Sequence, residues 1–497
     1  MLTADQRRTR ATKITRLRKG SAPRLLELCS GCGGLSLGLK SAGFVLAAHV
    51  ESDGAAAQTY ALNLTPPVLV SKGWSLPRDM VKSSADDLVR DLELGVATNA
   101  AFDVLAAGLP CQAFARIGRS KLREIAGGEE DAFRKDPRAT LYRRFLDYVR
   151  DTQPLAIVIE NVPDILNFGG HNVPEEICET LEKMGYRSAY TILNAGNYGV
   201  PQIRDRLFLI AFADILGVRP AFPAPTHFLD LPAGYEGSRA NALKHVSHDS
   251  PHFSAIREPS RRLKRAISAR EALDDLPRIK EHLNDPKSML LRRLDERLPY
   301  RKIAEPSEYA QLIREWEGYE IESELDGHRI RVTPRDFAIF ASMAHGDDFP
   351  QAKKIAEAML SKALKRRRFS SSSARSAEIV RLRKAIVPPY DPEKFPNKWW
   401  KLDPSKPSRT LTAHMGRDTY SHIHYDSRQC RTVSVREAAR LQSFPDGFRF
   451  QCCMNAAFRQ IGNAVPPILA LAVGAALKNQ LNEAIATSSA LFGERAA

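Results

Sequence analysis

Short, mainly apolar runs, each long enough for a buried strand, set the strongest limit on what this chain can fold into. They lie at 24–28, 44–50, 102–107, 155–159, 189–193 and 207–212. Helical patterns lie between several of them, at 34–42, 141–150 and 177–184. Strands that alternate with helices form a largely parallel sheet with helices on both faces. The sequence therefore predicts an α/β fold.

The first apolar run leads through a glycine-rich turn into a helix. Glycine lets a backbone approach a ligand closely, and the amide groups that begin a helix can bind polar ligand atoms. Glu51 ends the second run, where a carboxylate can accept a ribose hydroxyl. The pattern fits NAD, FAD or S-adenosylmethionine almost equally, and also a turn that binds no ligand. The candidate cofactor residues are Cys29, Ser30, Gly31, Gly33, Gly34 and Glu51, with Asp86 or Asp87 for an adenine amino group.

Two chemically active side chains follow the ends of neighbouring runs. Cys111, within Pro110-Cys111-Gln112, comes just after the third run, and Glu160 comes directly after the fourth. Open α/β sheets bind ligands at the carboxyl ends of their strands, so this thiol and this carboxylate can meet on one substrate. A lone cysteine is more often a buried structural residue, so the case for Cys111 depends on its neighbours.

Two arginines precede the last apolar run. Arg204 and Arg206 alternate with other residues in Gln202-Ile203-Arg204-Asp205-Arg206, so in an extended backbone they lie on one face. Arginine is rarely buried without a partner. The two are therefore either a surface pair or part of a site that supplies their partner.

The charge balance indicates a polyanionic partner. The chain has 497 residues, enough for two domains, and a net charge of +15. Nucleic acid is the first expectation, an acidic membrane surface the second, and a basic protein without such a partner the alternative. Seven scattered cysteines are typical of a reducing cytoplasm, and Cys29-x-x-Cys32 lacks a second pair to complete a metal site. We expect no metal, no signal segment and no membrane span.

The segments around Cys111, Glu160 and Arg206 together resemble the cytosine-C5 DNA methyltransferase family. Two later segments, 436–446 and 460–467, resemble the last motifs of that family and follow in the same order. The resemblance implies a Rossmann-like S-adenosylmethionine-dependent methyltransferase sheet with a smaller, irregular target-recognition domain. It covers about residues 24–212 and 395–480.

The resemblance also implies a mechanism. A thiolate adds to C6 of a flipped-out cytosine, which makes C5 nucleophilic toward the methyl group of S-adenosylmethionine. Cys111 would be the nucleophile, Glu160 would relieve charge at N3, and Arg206 would hold the base with support from Arg204. By position, the remaining roles fall to Pro110 and Asn463 for the cofactor and to Gln112, Asn161 and Gln202 for the substrate.

Two residues depart from the family pattern. Cys29 stands where an aromatic residue usually stacks on adenine, and Ser52 stands where a large apolar residue is common. Both departures bear on the affinity for the cofactor and leave its identity unchanged.

The predicted domain map places the recognition domain between two catalytic segments. It consists of 1–22 as a solvated basic arm, 23–214 and 396–480 as the catalytic domain, 215–395 as the target-recognition domain, and 481–497 as a tail. A basic run within the recognition domain suits DNA phosphates, although a solvated charge run would look the same. This run is Lys365, Arg366, Arg367 and Arg368.

We expect a bacterial cytoplasmic monomer that acts on double-stranded DNA, either beside a separate restriction endonuclease or as an orphan methylase. A tRNA cytosine methylase is an alternative, but such enzymes lack a large insert between the motifs. A non-catalytic DNA-binding relative is a second alternative. The presence of Cys111, Glu160 and Arg206 together argues against it. A nicotinamide oxidoreductase would explain only the glycine-rich turn.

Overall fold

The chain divides into two compact units. The sheet unit comprises Met1–Ala266 and Ala464–Ala497, and the insert unit comprises Ile267–Asn463. The computed structural model describes residues 3–66, 72–110, 137–167, 172–232, 235–246, 250–287, 292–367 and 372–487, without the side chains of 137–140 and 236–238.

A six-stranded mixed sheet forms the centre of the sheet unit. Its strands are β1 Arg24–Leu28, β2 Val45–Val50, β3 Val104–Ala107, β4 Ala156–Asn161, β5 Tyr186–Asn194 and β6 Asp205–Ala213. Their order across the sheet is β2-β1-β3-β4-β6-β5; β6 runs antiparallel to both of its neighbours and the other pairs are parallel. The central strands β3 and β4 are wholly buried, which explains the unbroken apolar sequence of β3 and of residues 156–159 in β4. The predicted α/β sheet is confirmed.

Helices cover this sheet and make up much of the insert unit. In the described residues they are α1 Ala4–Arg18, α2 Gly34–Ser41, α3 Gly54–Leu64, α4 Ala85–Asp91, α5 Thr98–Ala101, α6 Pro137–Thr152, α7 Val173–Lys183, α8 Tyr235–Ala242, α9 Ala269–Leu273, α10 Glu281–Asn284, α11 Glu308–Arg314, α12 Phe337–Ser342, α13 Phe349–Lys365, α14 Ser372–Ile386, α15 Val435–Leu441, α16 Met454–Asn463 and α17 Pro467–Thr487. Two short pairs add β7 His227–Phe228 with β8 Lys264–Arg265, and β9 Leu298–Pro299 with β10 Glu324–Leu325.

Helix α2 follows the glycine-rich turn and packs against α17 through small residues. A Cβ atom on Gly474 would lie 2.9 Å from Cβ of Ala42, and one on Gly38 would lie 2.5 Å from the carbonyl oxygen of Pro467. Side chains at these positions would force the two helices apart. Helices from distant parts of the sequence therefore form one closely packed layer.

The N-terminal segment is a helix, and the prediction of a solvated arm was wrong. Lys13 of α1 is buried, and its ammonium group donates to the carbonyl oxygens of Phe102, Thr152 and Gln153, the last two at 2.7 and 3.0 Å. Burial lowers the pKa of Lys13 to about 7. These contacts lie where β3 and β4 begin, at the edge of the sheet opposite the carboxyl ends of those strands. The sequence did not reveal this packing, because the buried face of the helix carries a basic residue that binds carbonyl groups in place of an apolar stripe.

The insert unit buries charged side chains in pairs. Arg440 contacts the carboxylates of Asp275 at 2.5 Å and Asp446 at 2.6 Å, and Arg431 contacts Glu437 at 2.6 Å. All five side chains are at most 1% exposed. Buried arginine–carboxylate pairs of this kind fix geometry, because either partner left alone would be a costly buried charge.

These ion pairs explain why the unit boundaries differ from the predicted domain limits. Arg440 and Asp446 belong to the late family-like segment, whereas Asp275 belongs to the predicted recognition domain. Since they pack together, residues 267–463 form one compact unit, while 215–266 group with the sheet. The insert unit also holds an apolar cluster in which the rings of Trp399 and Tyr420 stack at 4.7 Å.

The sequence analysis predicted no segment long and apolar enough to span a membrane, but the structure contains one helical stretch that meets this criterion. An 18-residue window within Met454–Thr487 is long and apolar enough to cross a membrane by length and composition. Of that window, 67% is buried within the structure. Helix α17 accounts for much of it, and its contact with α2 identifies it as a core helix.

Candidate active site

The carboxyl ends of β1, β3 and β4 bring the glycine-rich turn and Glu160 to the strand end at Gly108. Gly108 directly follows β3, and a Cβ atom there would lie 3.4 Å from the carbonyl oxygen of Cys29 and 4.0 Å from Oε2 of Glu160. The glycine-rich turn and the Glu160 carboxylate therefore flank the strand end that leads to Pro110, which is exposed. This is the edge at which open α/β sheets bind ligands.

The glycine-rich turn is held in shape by Glu51. Its Oε2 accepts from the backbone amide of Gly31 at 2.8 Å, and its Oε1 accepts from that of Asp53 at 2.7 Å. Gly31 has a φ of +55°, and no atom lies within 4 Å of a Cβ added there, so the turn is open on that side. Each carboxylate oxygen keeps a second lone pair, which leaves Glu51 able to accept ribose hydroxyls.

The first residues of the glycine-rich turn are largely buried. Cys29 is partly buried, and Ser30 and Gly33 are buried. Ser30 is buried beside the ring of His49, at 3.0 Å from its Nδ1, and Gly33 packs on Tyr60. Burial and the nearby carboxylates of Glu51, Glu27 and Asp79 raise the pKa of Cys29 to about 12. A thiol with a raised pKa stays protonated, and a protonated thiol is a poor nucleophile. Gly34 begins helix α2.

The acids Asp86 and Asp87 are used within the surface around α4. Asp87 forms a capping box with Ser84 at the start of that helix, and Asp86 accepts a hydrogen bond from Thr98. The aspartate whose charge acts on the Cys29 thiol is Asp79. Sequence reasoning missed Asp79 because the segment around it lacks any periodic pattern.

Glu160 and Arg206 form an ion pair at the catalytic edge. The Nε group of Arg206 lies 2.8 Å from Oε1 of Glu160, and the two side chains are only 12% and 11% exposed. Burial raises the pKa of Glu160, while the positive charges of Arg206 and Arg204 act in the opposite direction. A carboxyl group whose pKa is raised by burial holds its proton more readily than an exposed one, which suits a proton donor.

Arg204, Gln202 and Asn161 support the edge from within. Arg204 is fully buried, and its Nη2 group donates to the carbonyl oxygen of Ala464 at 3.1 Å. Gln202 is also fully buried, with its Oε1 3.5 Å from Nη1 of Arg204. The amide of Asn161 donates to the carbonyl oxygen of Leu109 at 2.9 Å, which anchors the chain two residues before position 111.

The remaining predicted site residues belong to the insert unit or fall outside the described part of the chain. Asn463 is exposed at the end of α16 in the insert unit. Lys365 ends α13, Arg366 follows it, and Arg367 is ion-paired with Glu378. Three residues fall outside the described part of the chain: Cys111, Gln112 and Arg368.

Comparison with known proteins gives one consistent result. The sequence model of the C-5 cytosine-specific DNA methylase family matches residues 24–479. A protein of Oceanobacillus iheyensis named type II methyltransferase M.OihORF3336P is 36% identical over 92% of this chain and 96% of its own length. Type II methyltransferase M.AgeI of Thalassovita gelatinovora is 30% identical over 91% and 98%. The fold is similar to a crystal structure described as a prophage-encoded DNA modification methyltransferase of E. coli (TM-score 0.55, 22% identity, 93% and 100% coverage).

Proposed function

Because the chain belongs to the C-5 cytosine-specific DNA methylase family, whose members use S-adenosylmethionine as methyl donor, we propose that it methylates C5 of a flipped-out cytosine in duplex DNA through a covalent bond between Cys111 and C6. The observation that carries this proposal is the meeting of the glycine-rich turn, the strand end before Cys111 and the Glu160–Arg206 pair around Gly108. That arrangement suits a reaction between a bound nucleotide-like donor and a base.

The residues of the sheet unit fit the cofactor. Glu51 can accept the ribose hydroxyls, the open side of the turn at Gly31 leaves room for the ligand, and Asp79 is the acid we assign to the adenine amino group in place of Asp86 or Asp87. Ser30, Gly33, Gly34 and Pro110 line the same strand ends. When bound, S-adenosylmethionine supplies an electrophilic methyl group.

The protein residues have distinct roles in the proposed chemistry. Cys111 Sγ bonds to C6, and C5 becomes enamine-like. Glu160 compensates the negative charge that develops at N3, either by donating a proton to N3 or by a hydrogen bond with it. Arg206 binds Glu160 and holds the base, while Arg204 and Gln202 contact each other within the buried interior and have a structural role. Once C5 carries the methyl group, a base removes the C5 proton, the C5–C6 double bond re-forms and the thiolate leaves. Water can serve as that base.

The proposed setting is a monomer in the bacterial cytoplasm that modifies a specific duplex sequence. We propose that the predicted recognition domain, 215–395, reads that sequence and that Lys365, Arg366, Arg367 and Arg368 bind the phosphate backbone. Support for a place beside a restriction endonuclease comes from the two relatives named type II methyltransferases. An orphan methylase would have the same chemistry.

The nucleophile can be tested directly. Bisulfite sequencing of DNA from a host that expresses the chain first identifies the methylated sequence. A duplex with 5-fluorocytosine at the target should then form a complex that resists denaturation, because fluorine cannot leave C5 as a proton does. We expect Cys111→Ser to abolish both turnover and this complex, and Cys453→Ser, at an exposed cysteine, to keep both. Wild-type turnover in Cys111→Ser would refute the covalent mechanism.

A further inference from the structure

A polar cluster lies directly behind the proposed catalytic arginine. Asp205 is the first residue of β6, and its Oδ1 accepts from Nδ2 of Asn194 at 2.8 Å. Tyr235 of α8 also donates to the Asp205 carboxylate, and its hydroxyl lies 3.3 Å from Nδ2 of Asn194. Asn194 is itself fixed, because its Oδ1 accepts from the backbone amide of Gly196 at 3.0 Å. Asp205 is thus held from two neighbouring elements.

This cluster is connected to Glu160 through Arg206. Because side chains alternate along a strand, the Asp205 side chain lies on the face opposite to Arg206. Arg206 nevertheless reaches back to the same residue, since its Nη1 group donates to the carbonyl oxygen of Asp205 at 2.7 Å. Its Nε group contacts Glu160 at 2.8 Å. The guanidinium group therefore has two fixed points, one on Glu160 and one on the peptide that Asp205 anchors.

The charges around Asp205 also bear on Glu160. The positive charges that act on Asp205 are those of Arg239, on α8, and Arg206. Those that act on Glu160 are Arg206 and Arg204, so Arg206 is shared by two carboxyl groups. A negative charge at Asp205 partly compensates Arg206, which weakens the pull of Arg206 toward an ionised Glu160.

We propose that Asp205, held by Asn194 and Tyr235, is a positioning residue for methyl transfer: it fixes the Arg206 guanidinium against Glu160 and shares its positive charge. The proposal depends on the function proposed for Glu160 above. It gives a role in the reaction to α8, which the predicted domain map had placed in the recognition domain.

Two substitutions test the proposal against a matched control. Tyr235→Phe removes one hydroxyl, and Asp205→Asn removes the charge while keeping the shape. The control is Tyr190→Phe on the same strand as Asn194, where the hydroxyl donates to the Glu175 carboxylate at 2.8 Å. Tyr190 lies about 13 Å farther along that strand. All three variants are assayed as full chains on the duplex found by bisulfite sequencing.

We expect Tyr235→Phe to lower kcat about tenfold, the effect of one hydrogen bond to a charged group, with KM for S-adenosylmethionine unchanged. Asp205→Asn should in addition move the high-pH limb of the kcat profile to lower pH, because Glu160 then loses its proton more readily. Tyr190→Phe should match the wild type in both respects.

Folding and function are separated by two further measurements. Thermal unfolding and calorimetry of S-adenosylmethionine binding identify any variant that has lost its fold, and Tyr235→Phe decides the question if Asp205→Asn does not fold. Wild-type turnover in Cys111→Ser would overturn the proposed function itself, and wild-type turnover in Glu160→Gln would overturn the role proposed there for Glu160. An inactive Glu160→Gln, together with wild-type kcat in folded Tyr235→Phe and Asp205→Asn, would overturn the positioning role alone.

Discussion

Replacement of Glu27 by Gln should make the protein more stable, and increasingly so as the pH rises. Glu27 lies on β1 and is only 2% exposed. Ser36 donates to its carboxyl group, and the Ser36 hydroxyl is 2.8 Å from that of Tyr60. Burial raises the pKa of Glu27 from 4.5 to about 8, and the nearby carboxylates of Glu51 and Glu160 act in the same direction.

The size and sign of the effect follow from proton linkage. The folded-state pKa lies above the unfolded one, so between pH 4.5 and about 8 the folded state holds a proton that the unfolded chain has released. The contribution of Glu27 to stability is therefore complete below pH 4.5 and is lost as the pH rises to 8. The loss is at most about 5 kcal/mol, at 1.36 kcal/mol for each unit. Gln does not titrate, although its amide needs partners, so we expect a net gain of about 2 kcal/mol at pH 8.

Urea unfolding at pH 5, 6, 7 and 8 measures the effect as the difference between variant and wild type at each pH. This difference should increase with pH through the whole interval. Glu437 supplies the contrast, because it is equally buried but paired with Arg431, which lowers its pKa. Glu437→Gln should destabilise the protein by about 3–5 kcal/mol near neutral pH. Parallel stability curves for Glu27→Gln and the wild type would refute the reasoning.

Three further predictions concern the ligands and the recognition domain. Glu51→Ala should weaken S-adenosylmethionine binding by about 1–2 kcal/mol in calorimetry, through the lost ribose contact and the lost anchor of Gly31; unchanged affinity would remove Glu51 from the site. Alanine at Lys365, Arg366 and Arg367 should weaken binding to all duplexes alike and reduce the slope of affinity against salt by up to about one unit for each lost contact. Exchange of 215–395 with a relative should change the methylated sequence, and methylation of the original site would contradict the domain map.

The sheet could be predicted because its strands carry their own signal. The run at 207–212 is apolar without interruption, and the run at 24–28 is built on three leucines, since β1 and β6 lie within the sheet; the observed strands match or extend both runs. Glu160 and Arg206 could also be predicted to need a partner, because buried charge is costly alone. The structure makes each the partner of the other.

What the sequence concealed depends on contacts between distant residues. Lys13 is buried by carbonyl groups about 90 and 140 residues away, which leave no local pattern. Asp79, which we propose for the adenine contact, was not singled out in the sequence, because Asp86 and Asp87 look alike there and their contacts with a helix cap and with Thr98 leave no local pattern. The late segment around Arg440 looked catalytic by resemblance, yet its charges close buried ion pairs within the insert unit. Residues within a family motif can therefore stabilise the fold and need not take part in the chemistry.

The contact between α2 and α17 has a consequence for the order in which the protein is made. Domains fold as units during synthesis, beginning with the segments that leave the ribosome first. The residues of the insert unit all precede α17, so that unit can fold while the sheet unit still lacks its last helix. Until then, the Gly38 face of α2 beside the glycine-rich turn is uncovered. A nascent chain can thus complete the insert unit before it can hold the methyl donor, so ribosome-bound chains should be unable to methylate DNA.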